Sequence, residues 1–242
     1  MKVLGIESSG QVAAVSIVED NRLVGDYTIN HKKTHSQTLL PMLEELKKLT
    51  ELDLDTIDCV AISKGPGSFT GLRIGSGTAK GLCMGLQKPL VEVSTLQAMA
   101  YNFWGRDELI CPIMDARRNQ VYTGLFSFNK TEDDYELEII LEDCAVCIEE
   151  VIQKINEIGR PVVFLGDGIF VFENVIRDQI KVPVSFAPAS FNEQRASSVA
   201  VLGEKLFKEG KAIDAAMHAP EYLRLSQAER ERNERQLEKG KE

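Results

Sequence analysis

The sequence predicts an α/β protein built as two related halves, and three observations carry that expectation. The chain opens with apolar strands: Val3 to Ile6 runs into Glu7, and Val12 to Val18 returns after a polar turn. A glycine-rich loop, Gly65-Pro66-Gly67-Ser68-Phe69-Thr70-Gly71-Leu72-Arg73-Ile74-Gly75, joins the apolar run Cys59 to Ile62 to a helical segment ending near Leu86. The opening pattern then recurs: Ile6-Glu7-Ser8-Ser9 with Gln11-Val12 parallels Met114-Asp115-Ala116-Arg117 with Gln120-Val121. In both places a strand ends in an acid, turns on polar residues and returns as a strand. Internal repeats set architecture, although the matching stretch here is short.

Taken in order, Leu23 to Ile29 reads as a third antiparallel strand after a turn at Asn21. Thr34 reads as an N-cap with Gln37 completing a capping box, and Leu39, Leu43, Leu46 and Leu49 mark one helical face. After the glycine loop and its helix, Pro89 to Val93 is a strand and Thr95 to Phe103 a short helix. Arg106-Asp107-Glu108 looks like a junction, which gives halves at 1–105 and 106–225 and a charged tail at 226–242. The second half reads as a strand (Tyr135 to Leu141), a helix (Ile148 to Ile158), a strand (Val162 to Leu165) and two helical segments.

Composition narrows the function classes. A chain of 242 residues with 43% apolar residues can bury an ample core. No apolar stretch spans a bilayer, Glu7 interrupts the first apolar run, and the cysteines are scattered, so the expected compartment is the cytoplasm. The formal net charge is −9, and basic residues cluster only at Arg117-Arg118 and in the tail. Phosphate contacts dominate affinity for nucleic acid, so a strong RNA grip by this chain alone is not expected.

The glycine loop places backbone N–H groups near a helix N-terminus, where an anion could sit, or it is a tight crossover that lets two backbones pack. A P-loop needs Lys-Ser/Thr after its last glycine, but Leu72 follows Gly71. A dinucleotide fingerprint needs glycine where Thr70 stands, although Glu92 falls near the position of a ribose-binding acid. His31 and His35 have the spacing of a helical metal pair but no third ligand nearby, and His218 carries no signal. Cys144 and Cys147 have redox spacing without a thioredoxin-like context. Ser68 has no histidine beside it, and no nucleophile elbow is present. Gly77, Gly81 and Gly85 recur every fourth residue. Each costs about 1 kcal/mol against alanine in a helix, so close approach of another element, its own sheet or a partner helix, is expected to offset the cost.

The loop, with Val3-Leu4-Gly5-Ile6-Glu7-Ser8-Ser9, His35-Ser36-Gln37-Thr38-Leu39-Leu40-Pro41, Pro89-Leu90, Met114-Asp115-Ala116-Arg117-Arg118 and Pro220-Glu221-Tyr222-Leu223-Arg224, resembles the bacterial TsaB (YeaZ) family. The resemblance spans nearly the whole chain. It implies the actin-like/sugar-kinase (ASKHA) fold, two α/β halves facing a cleft. It further implies a non-catalytic subunit of the machinery that makes threonylcarbamoyl-adenosine in tRNA. The chemistry would belong to a TsaD-like paralogue, with a TsaE-like ATPase docking beside it. ATP and metal would then belong to those partners, and tRNA would be met only through the complex. In the catalytic relatives a His-x-x-x-His metal pair lies where Thr95 and Met99 stand here, so no metal is expected on this chain.

The resemblance also implies an interface with the paralogue built from His35, Thr38, Leu39, Met42, Gly77, Thr78, Gly81 and Gly85. The same surface would form a homodimer when the partner is absent. The wider fold binds nucleotides through turns that correspond to Glu7, Ser8, Ser9, Gly65, Gly67, Ser68, Gly166 and Gly168. An ATP-binding kinase or ATPase is therefore the alternative function, and a glycoprotease-like peptidase the third.

Overall fold

The computed structural model describes residues 1–132 and 134–224. The first half opens with an antiparallel meander, β1 (Lys2–Glu7), β2 (Val12–Glu19) and β3 (Arg22–Asn30). Then come α1 (His35–Leu49), β4 (Cys59–Gly65), α2 (Phe69–Leu86), β5 (Leu90–Ser94) and α3 (Thr95–Ala100). The second half repeats the meander as β6 (Leu109–Asp115), β7 (Gln120–Lys130) and β8 (Tyr135–Cys147). It continues through α4 (Ile148–Ile158), β9 (Val162–Leu165), α5 (Ile169–Gln179), β10 (Val184–Phe186) and α6 (Ala189–Asn192). The chain closes with α7 (Ala196–Lys208) and a two-residue strand, β11 (Ala212–Ile213).

The strand orders are β11-β5-β4-β1-β2-β3 and β10-β9-β6-β7-β8. In each sheet the first strand pairs antiparallel with the second on one side and parallel with the fourth on the other. The same topology occurs twice, which is the actin-like/sugar-kinase arrangement of two related halves. β1 and β4 read as continuous apolar runs because both faces of the first sheet are covered. On one face Leu4, Ile6 and Ile62 pack with Leu39, Met42, Leu43 and Leu46 of α1. On the other, Val3, Ala61 and Val91 pack with Val199, Ala200 and Leu202 of α7.

That second layer corrects the expected boundary of the C-terminal half. Residues 106–225 do not stay together, because α7 returns to cover the first sheet and β11 pairs with β5. The first sheet would otherwise leave one apolar face in water. The tail at 226–242 lies outside the described residues.

Two local expectations for α1 also change. Thr34 makes no side-chain cap, so the capping box with Gln37 does not form. Leu49 is 72% exposed, and Met42 joins Leu39, Leu43 and Leu46 in the core instead. Cys144 lies within β8, and Cys147 is the N-cap of α4.

Candidate functional site

The glycine loop is a tight crossover packed onto the β1–β2 turn. Gly65 has φ +128°, a region that favours glycine, and its Cα faces the Glu221 carbonyl so closely that a Cβ would clash. The Gly65–Pro66 peptide is cis. Gly67 and Gly71 face the carbonyls of Ser9 and Ser8 with no room for a side chain. Ser68 N–H donates to the Ser9 carbonyl at 2.6 Å, and Ser68 Oγ caps α2 by accepting from Gly71 N–H at 3.3 Å. Ser8 Oγ donates to the Gly71 carbonyl at 3.0 Å. The loop therefore spends part of its polarity on its own neighbour.

A cleft of about 650 Å³ lies between the halves. Ser9, Gly67 and Ser68 line it from one side, Asp115 and Asp167 from the other, and Tyr222 to Arg224 from the C-terminal segment. Of the eight residues expected at a nucleotide, only these three of the first half come together there. Glu7 and Ser8 are buried, Gly65 is covered by Glu221, and Gly166 and Gly168 rest against the Ile113 carbonyl. That is a correction of the expected site, and close backbone packing is its cause.

The acids of the cleft are also engaged. Asp115 pairs with Arg117 at 3.0 Å and accepts the Arg117 N–H at 2.8 Å, as a turn-capping acid would. Asp167 accepts Asp115 N–H at 3.1 Å, and burial raises its pKa. Beneath the cleft, Glu7 Oε1 accepts both the N–H and the hydroxyl of Ser9 at 2.5 Å. Its Oε2 meets no hydrogen-bond donor, and burial raises its pKa. A carboxyl so enclosed is poorly placed to hold a metal-nucleotide complex.

The C-terminal segment is a strap that sequence reading did not resolve. Glu221 N–H donates to the Lys64 carbonyl at 2.7 Å, and its carboxylate meets Lys64 Nζ at 2.7 Å. Tyr222 stacks on Phe69 at 4.7 Å and accepts from Arg73 Nε at 3.2 Å; the Arg73 guanidinium covers the same Phe69 ring at 4.0 Å. Arg224 then reaches the second half and donates to the carbonyls of Ala116 and Arg117. The strap thus touches both halves at the mouth of the cleft.

His218, which carried no signal in the sequence, anchors this strap. Its Nε2 lies 2.8 Å from Ser76 Oγ of α2 and its Nδ1 lies 2.6 Å from Glu92 Oε1 of β5. The connectivity is that of a Ser-His-Glu hydrolase. The surroundings are not: Ser76 is 5% exposed and sits inside a helix whose N–H groups are committed to helical bonds. The α2 backbone around Ser76 therefore offers no oxyanion hole. Only long-range sequence separation hid this trio, 126 residues between Glu92 and His218.

The expected partner surface divides. His35, Thr38, Leu39 and Met42 are buried in the chain, so they offer a partner little surface. His35 Nε2 bonds the Gly10 carbonyl at 2.9 Å, and Leu39 and Met42 belong to the core under the first sheet. Gly77, Gly81 and Gly85 do lie outward, and a Cβ on any of them would meet nothing within 4 Å. The bare stripe therefore does not serve the protein's own sheet. Thr78, half-buried beside it, bonds the Ile74 carbonyl at 2.9 Å. Met84 of α2 and Leu40 of α1 add exposed apolar side chains, at 71% and 54%.

Thr95 and Met99 are fully buried on α3. His31 stands in the exposed segment before α1, apart from the buried His35. Among the described residues no three of His, Cys, Asp and Glu converge as metal ligands, and no helix is long and apolar enough to cross a membrane.

Comparison with known proteins gives this architecture its relatives. Residues 23–232 match the family model described as "TsaD: tRNA N6-adenosine threonylcarbamoyltransferase". The tRNA threonylcarbamoyladenosine biosynthesis protein TsaB of Bacillus subtilis (strain 168) is 33% identical over 229 residues, covering 95% of this chain and 96% of that protein. TsaB of Escherichia coli (strain K12) is 26% identical, covering 93% and 95%. A Pseudomonas aeruginosa structure, described as an uncharacterized protein with similarity to peptidase YEAZ, superposes with a TM-score of 0.76 at 24% identity, covering 92% of this chain and 99% of that one. The full-length match at one-third identity carries the assignment, and the shared fold agrees with it: the chain belongs to the TsaB (YeaZ) family.

Proposed function

We propose that this chain is a non-catalytic scaffold subunit needed for threonylcarbamoyl transfer to adenosine in tRNA. It acts through a TsaD-like paralogue that does the chemistry and a TsaE-like ATPase that docks beside it. The observation that carries the reading is the outward stripe of Gly77, Gly81 and Gly85, with open space at each glycine. A bare helix face permits close approach of a second helix. Full-length similarity to proteins named for tRNA threonylcarbamoyladenosine biosynthesis supplies the reaction.

The residues fit a supporting role. On the family resemblance, Thr95 and Met99 stand where catalytic relatives carry imidazoles, and both side chains are fully buried here. ATP and metal then belong to the partner subunits. With a net charge of −9, the chain meets tRNA through the complex, in the cytoplasm. In the absence of the paralogue a second copy covers the same stripe as a homodimer. The subunit raises activity by binding the transfer-competent state of its partner and shifting population toward it.

Reconstitution tests this reading. TsaD-like and TsaE-like partners, ATP, threonylcarbamoyl-adenylate and tRNA are combined with each protein omitted in turn. Modification should collapse when this chain is left out, and this chain alone should give none. Full activity without it, or activity by it alone, refutes the proposal. Calorimetry with Mg-ATP separates the kinase or ATPase alternative, for which a saturable heat is required.

A further inference from the structure

A cavity of about 760 Å³ opens far from the glycine loop, between the β2–β3 turn, the segment after α3, and α7. Its aromatic wall is Tyr101, Trp104 and Tyr135. Trp104 is the only tryptophan in the chain and is 51% exposed, a poor place for an indole without a purpose. It is nonetheless held: its ring meets Tyr135 edge-on, with centroids 4.9 Å apart at 72°. Tyr101 is fixed edge-on against Phe128 at 5.5 Å.

One carboxylate beside this wall is left without a counter-ion among the described residues. Asp134, Glu204 and Glu209 line it together with Lys205 and Lys208. Glu204 is satisfied by Lys208 at 2.6 Å and Glu209 by Lys211 at 2.7 Å. Asp134 has no ion-pair partner among the described residues, and Thr131 pins its backbone, donating to the Asp134 carbonyl at 2.9 Å and accepting its N–H at 3.0 Å. Burial, Asp134 and Glu209 together push the Tyr101 hydroxyl up to about 12. The carbonyl end of α7, capped at Glu209, adds partial negative charge. Lys205 is the one opposing group, and its flexible stem lets the ammonium turn to solvent.

We propose that this cavity binds a small organic cation, an ammonium or guanidinium group on an apolar body, with the charge over Trp104 and Tyr135 and beside Asp134. An indole face is the best aromatic partner for a cation. The site stands apart from the cleft and from the glycine stripe, so it would act independently of the proposed scaffold role.

The single tryptophan makes the test direct. Fluorescence of the full chain is followed while choline is added through the millimolar range, and again with its neutral isostere 3,3-dimethylbutanol. Choline should give a saturable change, and the neutral isostere should bind about tenfold more weakly. Asp134→Asn should weaken choline binding several-fold while leaving the thermal midpoint unchanged. No saturable change, an equal response to the neutral isostere, or unchanged affinity in the folded Asp134→Asn variant overturns the proposal.

Discussion

Replacing Gly81 by leucine should strengthen the fold while weakening assembly. A Cβ at Gly81 meets nothing within 4 Å, so the leucine side chain enters solvent without displacing any atom of this chain. Within a helix, glycine is about 1 kcal/mol less favourable than alanine, and leucine lies close to alanine. The substitution should therefore raise stability by roughly 0.8 kcal/mol, or about 2–3 °C in midpoint for a chain of this size. Against a partner helix the sign reverses. Bare glycines allow backbones closer than the usual interaxial distance of about 8–10 Å, and a leucine between them holds the axes apart. The dissociation constant should rise at least about tenfold, equivalent to about 1.4 kcal/mol. Calorimetric melts of the chain diluted until it is monomeric give the first quantity, and titration with the TsaD-like partner gives the second. A lower midpoint would mean that the stripe packs internally. An unchanged dissociation constant with a raised midpoint would place the partner elsewhere.

Three further outcomes follow from the strap and the buried acids. Arg224→Ala removes charge-assisted bonds to the Ala116 and Arg117 carbonyls, which should cost about 1.5–3 kcal/mol and speed hydrogen exchange in residues 64–70; unchanged exchange would show that the strap does not hold the cleft. His218→Ala leaves Ser76 and Glu92 without their shared partner and should destabilise by roughly 2–4 kcal/mol, whereas a fluorophosphonate probe should leave Ser76 unlabelled in the native protein; labelling would revive the hydrolase reading. Asp143 is lifted by burial from 3.8 to about 6, while Ser94 Oγ donates to its carboxylate. A raised folded pKa means the proton favours the fold, so stability is full below 3.8 and is lost as pH rises through about 6. Asp143→Asn keeps the acceptor without the charge. It should match the parent near pH 4 and exceed it above pH 7 by on the order of 2–3 kcal/mol, measured by urea melts across pH; a gap independent of pH would contradict the assignment.

Much of the molecule was readable along the chain because local patterns settle it. The apolar runs of β1 and β4, the glycine loop and the helix behind it follow from composition over a few residues each. The repeated acid-ending strand pointed to two related halves, and the strand orders carry it through both sheets. Even the glycine stripe was legible as a spacing, although its direction was not.

Direction and long-range pairing belonged to the tertiary structure. A helical period shows that Leu39, Met42 and Gly81 lie on definite faces, but not which face meets the sheet. Burial against Leu4 and Ile62 decides that Leu39 and Met42 point inward, and open space decides that Gly81 points outward. The return of α7 to the first sheet answers a whole-molecule need to cover an apolar face, which no local window encodes. Ser76, Glu92 and His218 meet for the same kind of reason. Their chemistry is ordinary residue by residue, and only the strap along α2 brings them within hydrogen-bond reach.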